Sequence, residues 1–149
     1  GWPRVEAEKL FEDMATPVCA PGYLAPGADP AEALGRVRLI VNRSIPGEWA
    51  EWVAARGLPA PALDEAVELD AIEQTLQLAE AGHGLAVGRA PFITDRLARG
   101  ALIAPFGAGG PTGAAFYLCR PSEAEARPAV SRVKRWLLTE ADKASSAPS

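Results

Sequence analysis

Apolar positions along the chain fall into short runs set off by glycine and proline, and their spacing alternates between helical and extended. The clearest stretch is 70–106, DAIEQTLQLAEAGHGLAVGRAPFITDRLARGALIAPF. It predicts a helix, a glycine turn, a short buried strand, a second helix and another short strand. Ile72, Leu76 and Ala79 recur at helical spacing, and Asp70 followed by Glu73 predicts a capping box at the helix start. Gly82 and Gly84 suit a left-handed helix stop, and Leu85-Ala86-Val87-Gly88 is short and apolar enough to be a buried strand. A helix feeding a strand is the unit of an α/β sheet, whose ligands gather at strand ends.

The remaining segments read in the same way. Leu10 and Phe11 lead into an extended segment that continues through 16–20, where Pro17 disfavours helix, and 21–27 is a loop. Asp29-Pro30-Ala31-Glu32 predicts a capped helix that Gly35 cuts short. Residues 37–41 form the next predicted strand, with Asn42, Arg43 and Ser44 leaving its C-terminal end. Pro46 is expected to open a helix with Trp49, Trp52 and Val53 on one face, closed by Gly57. Residues 58–62 make a stiff connector, 66–69 a strand, 107–113 a flexible loop and 116–119 a strand ended by Arg120-Pro121. The last helix is expected from Pro128, with Val130, Val133, Trp136 and Leu137 on one face and a disordered tail from Lys143.

Composition narrows the class. A chain of 149 residues, 48% hydrophobic and 23% charged, is an ordinary globular domain with a core of useful size. No apolar run approaches the roughly 20 residues of a membrane helix. A net charge of −4 argues against this stretch itself gripping a phosphate backbone. Two cysteines make no disulfide framework, so a reducing, cytoplasmic setting is the expectation.

Taken in order, several phrases resemble the effector-binding domain of LysR-type transcriptional regulators, in the branch of the glycine-cleavage and β-lactamase regulators. They are LeuPheGluAsp at 10–13, ProValCysAlaPro at 17–21, Leu39-Ile40, Glu48-Trp49 and Trp52. Leu76-Gln77, Ala81-Gly82, Gly84, Ala86-Val87-Gly88, Leu97, Pro105-Phe106, PheTyrLeuCys at 116–119 and Arg135-Trp136-Leu137-Leu138 complete the match. The resemblance implies an α/β fold of the type II periplasmic-binding-protein kind, here one complete lobe plus part of a second, joined by two crossover strands. It implies a first-lobe remnant and crossover strand at 1–20, the second lobe at 21–113, and the return crossover with the final first-lobe helix at 114–142. The resemblance further implies that the stretch starting at Gly1 is without the family's DNA-binding helix-turn-helix and half of the first lobe. Residues 1–20 and 114–145 are therefore expected to be poorly ordered or packed against a partner, because two strands and one helix cannot cover both sheet faces.

The same resemblance places ligand contacts at strand ends and helix starts. These are Asn42, Arg43 and Ser44 after one strand, Ile72 and Glu73 at a helix start, Arg89 after another strand, and Phe116 and Tyr117 on the return crossover. Arg89 is the leading candidate, since a guanidinium can hold a carboxylate bidentately; the alternative is a solvated loop arginine. Glu73 and Asp70 are read first as cap residues. His83, the single histidine, lies between glycines with no nucleophile or acid at a useful spacing, so an exposed turn residue is expected. Cys19 and Cys119, on crossover strands that run side by side in the family, are read as buried thiols rather than as a bonded pair.

The expected function is sensing of a small-molecule effector, an amino acid or small carboxylate, without cofactor or metal. The parent would be a homodimer or tetramer reaching DNA only through a missing N-terminal domain, with no membrane partner. An extracytoplasmic solute-binding protein of the same architecture, or a non-binding truncated remnant, is the alternative. An enzyme is not expected, for no nucleophile elbow, phosphate loop or metal-ligand spacing is present.

Overall fold

The computed structural model describes residues 3–121 and 128–146. The chain divides into two compact units, one from Met14 to Thr112 and a smaller one from the flanks on either side. The elements are β1 (Val5–Val18), α1 (Pro30–Ala33), β2 (Leu39–Asn42), α2 (Glu48–Ala54), β3 (Val67–Leu69), α3 (Ile72–Glu80), β4 (Leu85–Arg89), α4 (Thr94–Ala98), β5 (Gly110–Pro121) and α5 (Pro128–Ser146). Strand order is β3-β2-β4-β1-β5, with the second half of β1 serving the larger unit and its first half the smaller.

In the larger unit β2 runs parallel to both β3 and β4, pairing Ile40 with Val67 and with Ala86. The end of β1 closes the other side of β4 antiparallel, setting Ala15 beside Arg89 and Val18 beside Ala86. Successive side chains point to opposite faces, so the apolar runs of β2 and β4 feed two cores at once. Trp49, Trp52 and Val53 of α2 pack with Leu39, Leu85 and Val87 on one face. Leu76 and Ala79 of α3 pack with Val18, Ile40 and Ala86 on the other. The Trp49 indole satisfies its buried N–H on the Ile40 carbonyl (3.0 Å), while Trp52 meets Phe106 at 5.6 Å and carries the Arg56 guanidinium 4.0 Å over its ring. The predicted α1 cap is present, Asp29 Oδ1 accepting from Ala31 N (2.7 Å) and Glu32 N (3.4 Å).

Several expectations are corrected. Pro46 lies in a turn, and α2 starts two residues later, behind Gly47 at φ 82°. Gly82 has the left-handed φ of a helix stop, but Gly84 does not. A Cβ at Gly84 would lie 2.8 Å from the Arg38 carbonyl, so that glycine serves close packing. The strand expected before Pro105 is reduced to one bridge, Ile103 with Cys19. The flexible loop at 107–113 is cut short because β5 begins at Gly110. Residues 14–20 are not loosely held, since Ala15, Val18 and Cys19 are buried in the larger unit.

The smaller unit holds the first half of β1, most of β5, and α5. Phe11 and Phe116 stack at 4.8 Å, and ion pairs join Arg120 to Glu6 and Lys134 to Glu8. The helix predicted from Pro128 is present and runs to Ser146, past the expected tail start at Lys143, which pairs with Glu140 (2.7 Å). Residues 147–149 of that tail lie outside the described residues. The predicted apolar stripe of α5 is largely solvent-facing: Val130, Val133 and Trp136 are exposed, Trp136 by 61%, while Leu137 is half-buried. Cys119 is exposed too, so only Cys19 is the buried thiol expected of both, and both are free. Among the described residues no helix is long and apolar enough to cross a membrane.

Gly109 gives the fold a sharp test. A Cβ there would sit 2.0 Å from Thr16 Oγ1 and 2.5 Å from the Ala15 carbonyl oxygen, where the chain passes against the β1 backbone. Gly109→Ala is expected to cost about 1–3 kcal/mol, lowering Tm by roughly 3–10 °C in calorimetry.

Candidate functional site

The three parallel strands of the larger unit end together, at Asn42, Leu69 and Arg89, which is where open α/β sheets present ligand-binding groups. Asn42 is the last residue of β2, not the first after it, and is 1% exposed. Its Oδ1 accepts from both the backbone N (3.1 Å) and the hydroxyl (2.7 Å) of Ser44, a side-chain-built turn that folds the loop back over the strand end. Arg43 N donates to the Leu69 carbonyl (2.8 Å), prolonging the β2–β3 ladder. The Arg43 side chain reaches Asp70 through Nε (2.9 Å) and Nη2 (2.8 Å).

That pair overturns the capping box. The N-cap of α3 is Ala71, with no side-chain cap bond, and Asp70 lies one residue too early to serve. Glu73 does not turn back either. It pairs with Arg96, whose Nε also holds Glu80 (2.6 Å), so its carboxylate ties α3 to α4. A cross-element arginine outcompetes a cap at the first turn because a charge-assisted bond is the stronger one. Ile72 is half-buried against the core cluster of Val18, Ile40 and Leu76. His83 is exposed, as expected.

Arg89 is no solvated loop residue. It ends β4 and is 5% exposed, beside Ala15 of β1. Near it lies a group that sequence reasoning did not assign to the site, Glu48 at the start of α2, 3% exposed. Its Oε1 accepts the Asn42 N–H (3.0 Å). Glu48 Oε2 and Asn42 Nδ2 are both buried and have no hydrogen-bond partner among the described residues. Burial pushes the Glu48 carboxyl up to about 7, against the downward pull of the Asn42 N–H and the nearby Arg89 charge. In the sequence Glu48 stands out only as part of the phrase Glu48-Trp49, with no role at the site. Among the described residues no three His, Cys, Asp or Glu side chains are grouped to hold a metal. Phe116 and Tyr117 belong to the smaller unit, where Phe116 packs on Phe11 and Tyr117 is 54% exposed.

A sheet of this order, with a buried polar cluster at its parallel strand ends, is the architecture of ligand-sensing α/β domains. The family model described as the LysR substrate binding domain matches residues 1–142, and the chain belongs to that family. Among its relatives is the HTH-type transcriptional activator AmpR of Pseudomonas aeruginosa, 32% identical over 138 residues, which cover 92% of this chain and 46% of AmpR. The glycine cleavage system transcriptional activator of Escherichia coli is 28% identical over 144 residues, with 94% and 46% covered. The chain thus spans about half the length of the curated relatives it matches. The solved AmpR effector-binding domain from Citrobacter freundii superposes with a TM-score of 0.78 at 25% identity, over 96% of this chain and 70% of that one. The Pseudomonas aeruginosa AmpR effector domain gives 0.76 at 29%, over 95% and 67%. The chain is accordingly an effector-binding domain of the LysR type, with the periplasmic-binding-protein-like fold, and its relatives are transcriptional regulators.

The Glu48 carboxyl has a defined linkage to stability. Its folded pKa lies above the unfolded value of 4.5, so between pH 4.5 and about 7 the native state binds more protons than the unfolded chain. Stability therefore falls as pH rises through that window and levels off above it. Glu48→Gln, which cannot ionise, is expected to gain about 2–3 kcal/mol relative to the wild type between pH 4.5 and 7.5, measured by urea unfolding at each pH.

Proposed function

We propose that the domain senses a small effector carrying a carboxylate, an amino acid or simple organic acid, held at the ends of β2, β3 and β4. The observation that carries this reading is the buried cluster of Asn42, Glu48 and Arg89, polar side chains gathered where an apolar sheet ends. A guanidinium in such a place is the natural partner of a carboxylate. Ser44 and Arg43 border it from the loop, and Ile72 and Glu73 from the start of α3. In this reading the cluster binds the effector without turning it over, in keeping with relatives that are transcriptional regulators.

In this reading the domain belongs to a longer cytoplasmic regulator, a homodimer or tetramer that reaches DNA through an N-terminal helix-turn-helix. The names of its relatives, transcriptional activators, support that. The exposed face of Val130, Val133 and Trp136 then packs against the remainder of the first lobe in the whole protein. A free solute-binding protein of the same architecture has less support, because the matched relatives are regulators.

Calorimetric titration with a panel of amino acids and small carboxylates tests the reading. At least one ligand is expected to bind, and Arg89→Ala to weaken it by tenfold or more, as loss of a charged bidentate contact should. Arg89→Lys should recover only part of that loss. Binding unchanged in Arg89→Ala would sink the assignment of the carboxylate to this strand end.

A further inference from the structure

α3 starts at Ala71 without a side-chain cap, so its first turn lacks the usual local fixing. Arg96 of α4 reaches it from another element. The Arg96 side chain is only 16% exposed and donates in three directions. Nε goes to Glu80 Oε1 (2.6 Å), Nη1 to the Phe92 carbonyl (2.9 Å) and Nη2 to Glu73 Oε1. Glu73 lies in the first turn of α3, Glu80 is its last residue, and Phe92 sits in the turn that follows β4. A planar guanidinium can serve three acceptors at fixed angles, which a lysine ammonium on its flexible stem does less well.

The start of α3 and the turn after β4 leave the ends of two parallel strands, so both border the strand-end site. Two acids stand at that start, Asp70 and Glu73, and each is matched by an arginine from another element, Arg43 and Arg96. Loss of Arg96 would fall on one end of α3. Glu80 is also reached by Arg99 Nη2 (3.2 Å), whereas among the described residues Glu73 would keep only its neighbour Gln77 (3.2 Å). Ile93 and Leu97 hold α4 against the core separately.

We propose that Arg96 is a positioning residue of the strand-end site. It locks the first turn of α3 to the turn after β4, and by compensating the Glu73 carboxylate it keeps that negative charge from facing an anionic effector. The charge role rests on the carboxylate reading of the site; the lock does not.

Two measurements on the intact chain separate these. In the first, without ligand, amide hydrogen exchange is followed by NMR at three donors: Thr75 N in the first turn of α3, Ala81 N at its far end and Thr94 N in the turn after β4. In Arg96→Gln, exchange at Thr75 and Thr94 is expected to rise about fivefold or more beyond any rise at Ala81. In Glu73→Ala, which removes one arm of the lock, Thr75 alone is expected to rise. Unchanged exchange at Thr75 and Thr94 in Arg96→Gln, or an equal rise at Ala81, overturns the lock. Should Arg96→Gln not fold, the comparison of Thr75 with Ala81 in Glu73→Ala decides it. In the second, acetate is titrated calorimetrically at low salt into the wild type, Arg96→Gln, Glu73→Gln and the double variant. Affinity is expected to fall about threefold or more in Arg96→Gln, to match the wild type in Glu73→Gln, and to return to the wild-type level in the double variant. A double variant as weak as Arg96→Gln, an Arg96→Gln equal to the wild type, or a Glu73→Gln tighter than the wild type overturns the charge role. Acetate binding to none of the four removes the carboxylate reading and the charge role with it, while amide exchange still decides the lock.

Discussion

The structure depends on burying both faces of a very narrow parallel sheet. Three short strands, β3, β2 and β4, carry little apolar area individually, and each must be covered above and below. The cover comes from α2, with its two tryptophans, on one side and from α3 on the other. This arrangement leaves no room for side chains at several crossings. A Cβ on Gly88 would lie 2.4 Å from Ile93, and one on Gly84 2.9 Å from Ile40. Close-packed layers of this kind hold strand ends rigidly, which is what a binding site needs from a scaffold.

The site follows from the same constraint. Where β2 and β4 end, the apolar cover ends too, and three polar side chains are drawn into the margin of the core. Asn42 and Arg89 are carried there by the strands, and Glu48 by the first residue of the helix that covers them. A carboxyl in that margin cannot stay ionised as easily as one in water, while the neighbouring guanidinium opposes the shift without cancelling it. Packing at the sheet and protonation at its edge are thus linked through one residue.

The smaller unit shows the opposite condition. Two strand segments and one helix are regular, but among the described residues Val130, Val133 and Trp136 of that helix face solvent. Such a face is unusual for a finished core and in keeping with a chain that covers only about 70% of the Citrobacter freundii AmpR effector-binding domain.

Local patterns were sufficient for the alternation of helix and strand, the Asp29 cap, the glycine stop at Gly82 and the tryptophan face of α2, because each depends on residues within one or two turns of one another. Family phrases spread along the chain were sufficient for the fold class. Contacts between distant segments were not legible. Asp70 and Glu73 have the spacing of a capping box, yet Arg43 and Arg96, 27 and 23 residues away, take them instead. Arg89 looked like a residue leaving a strand and is its buried end. Glu48 stood in the sequence only within the phrase Glu48-Trp49, and only the fold, by starting α2 against the end of β2, removed it from water and brought it within the field of Arg89. The sequence alone determined which groups the chain carries and which elements bear them; tertiary packing decided which of those groups lose water and find one another, and on that the chemistry of the site rests.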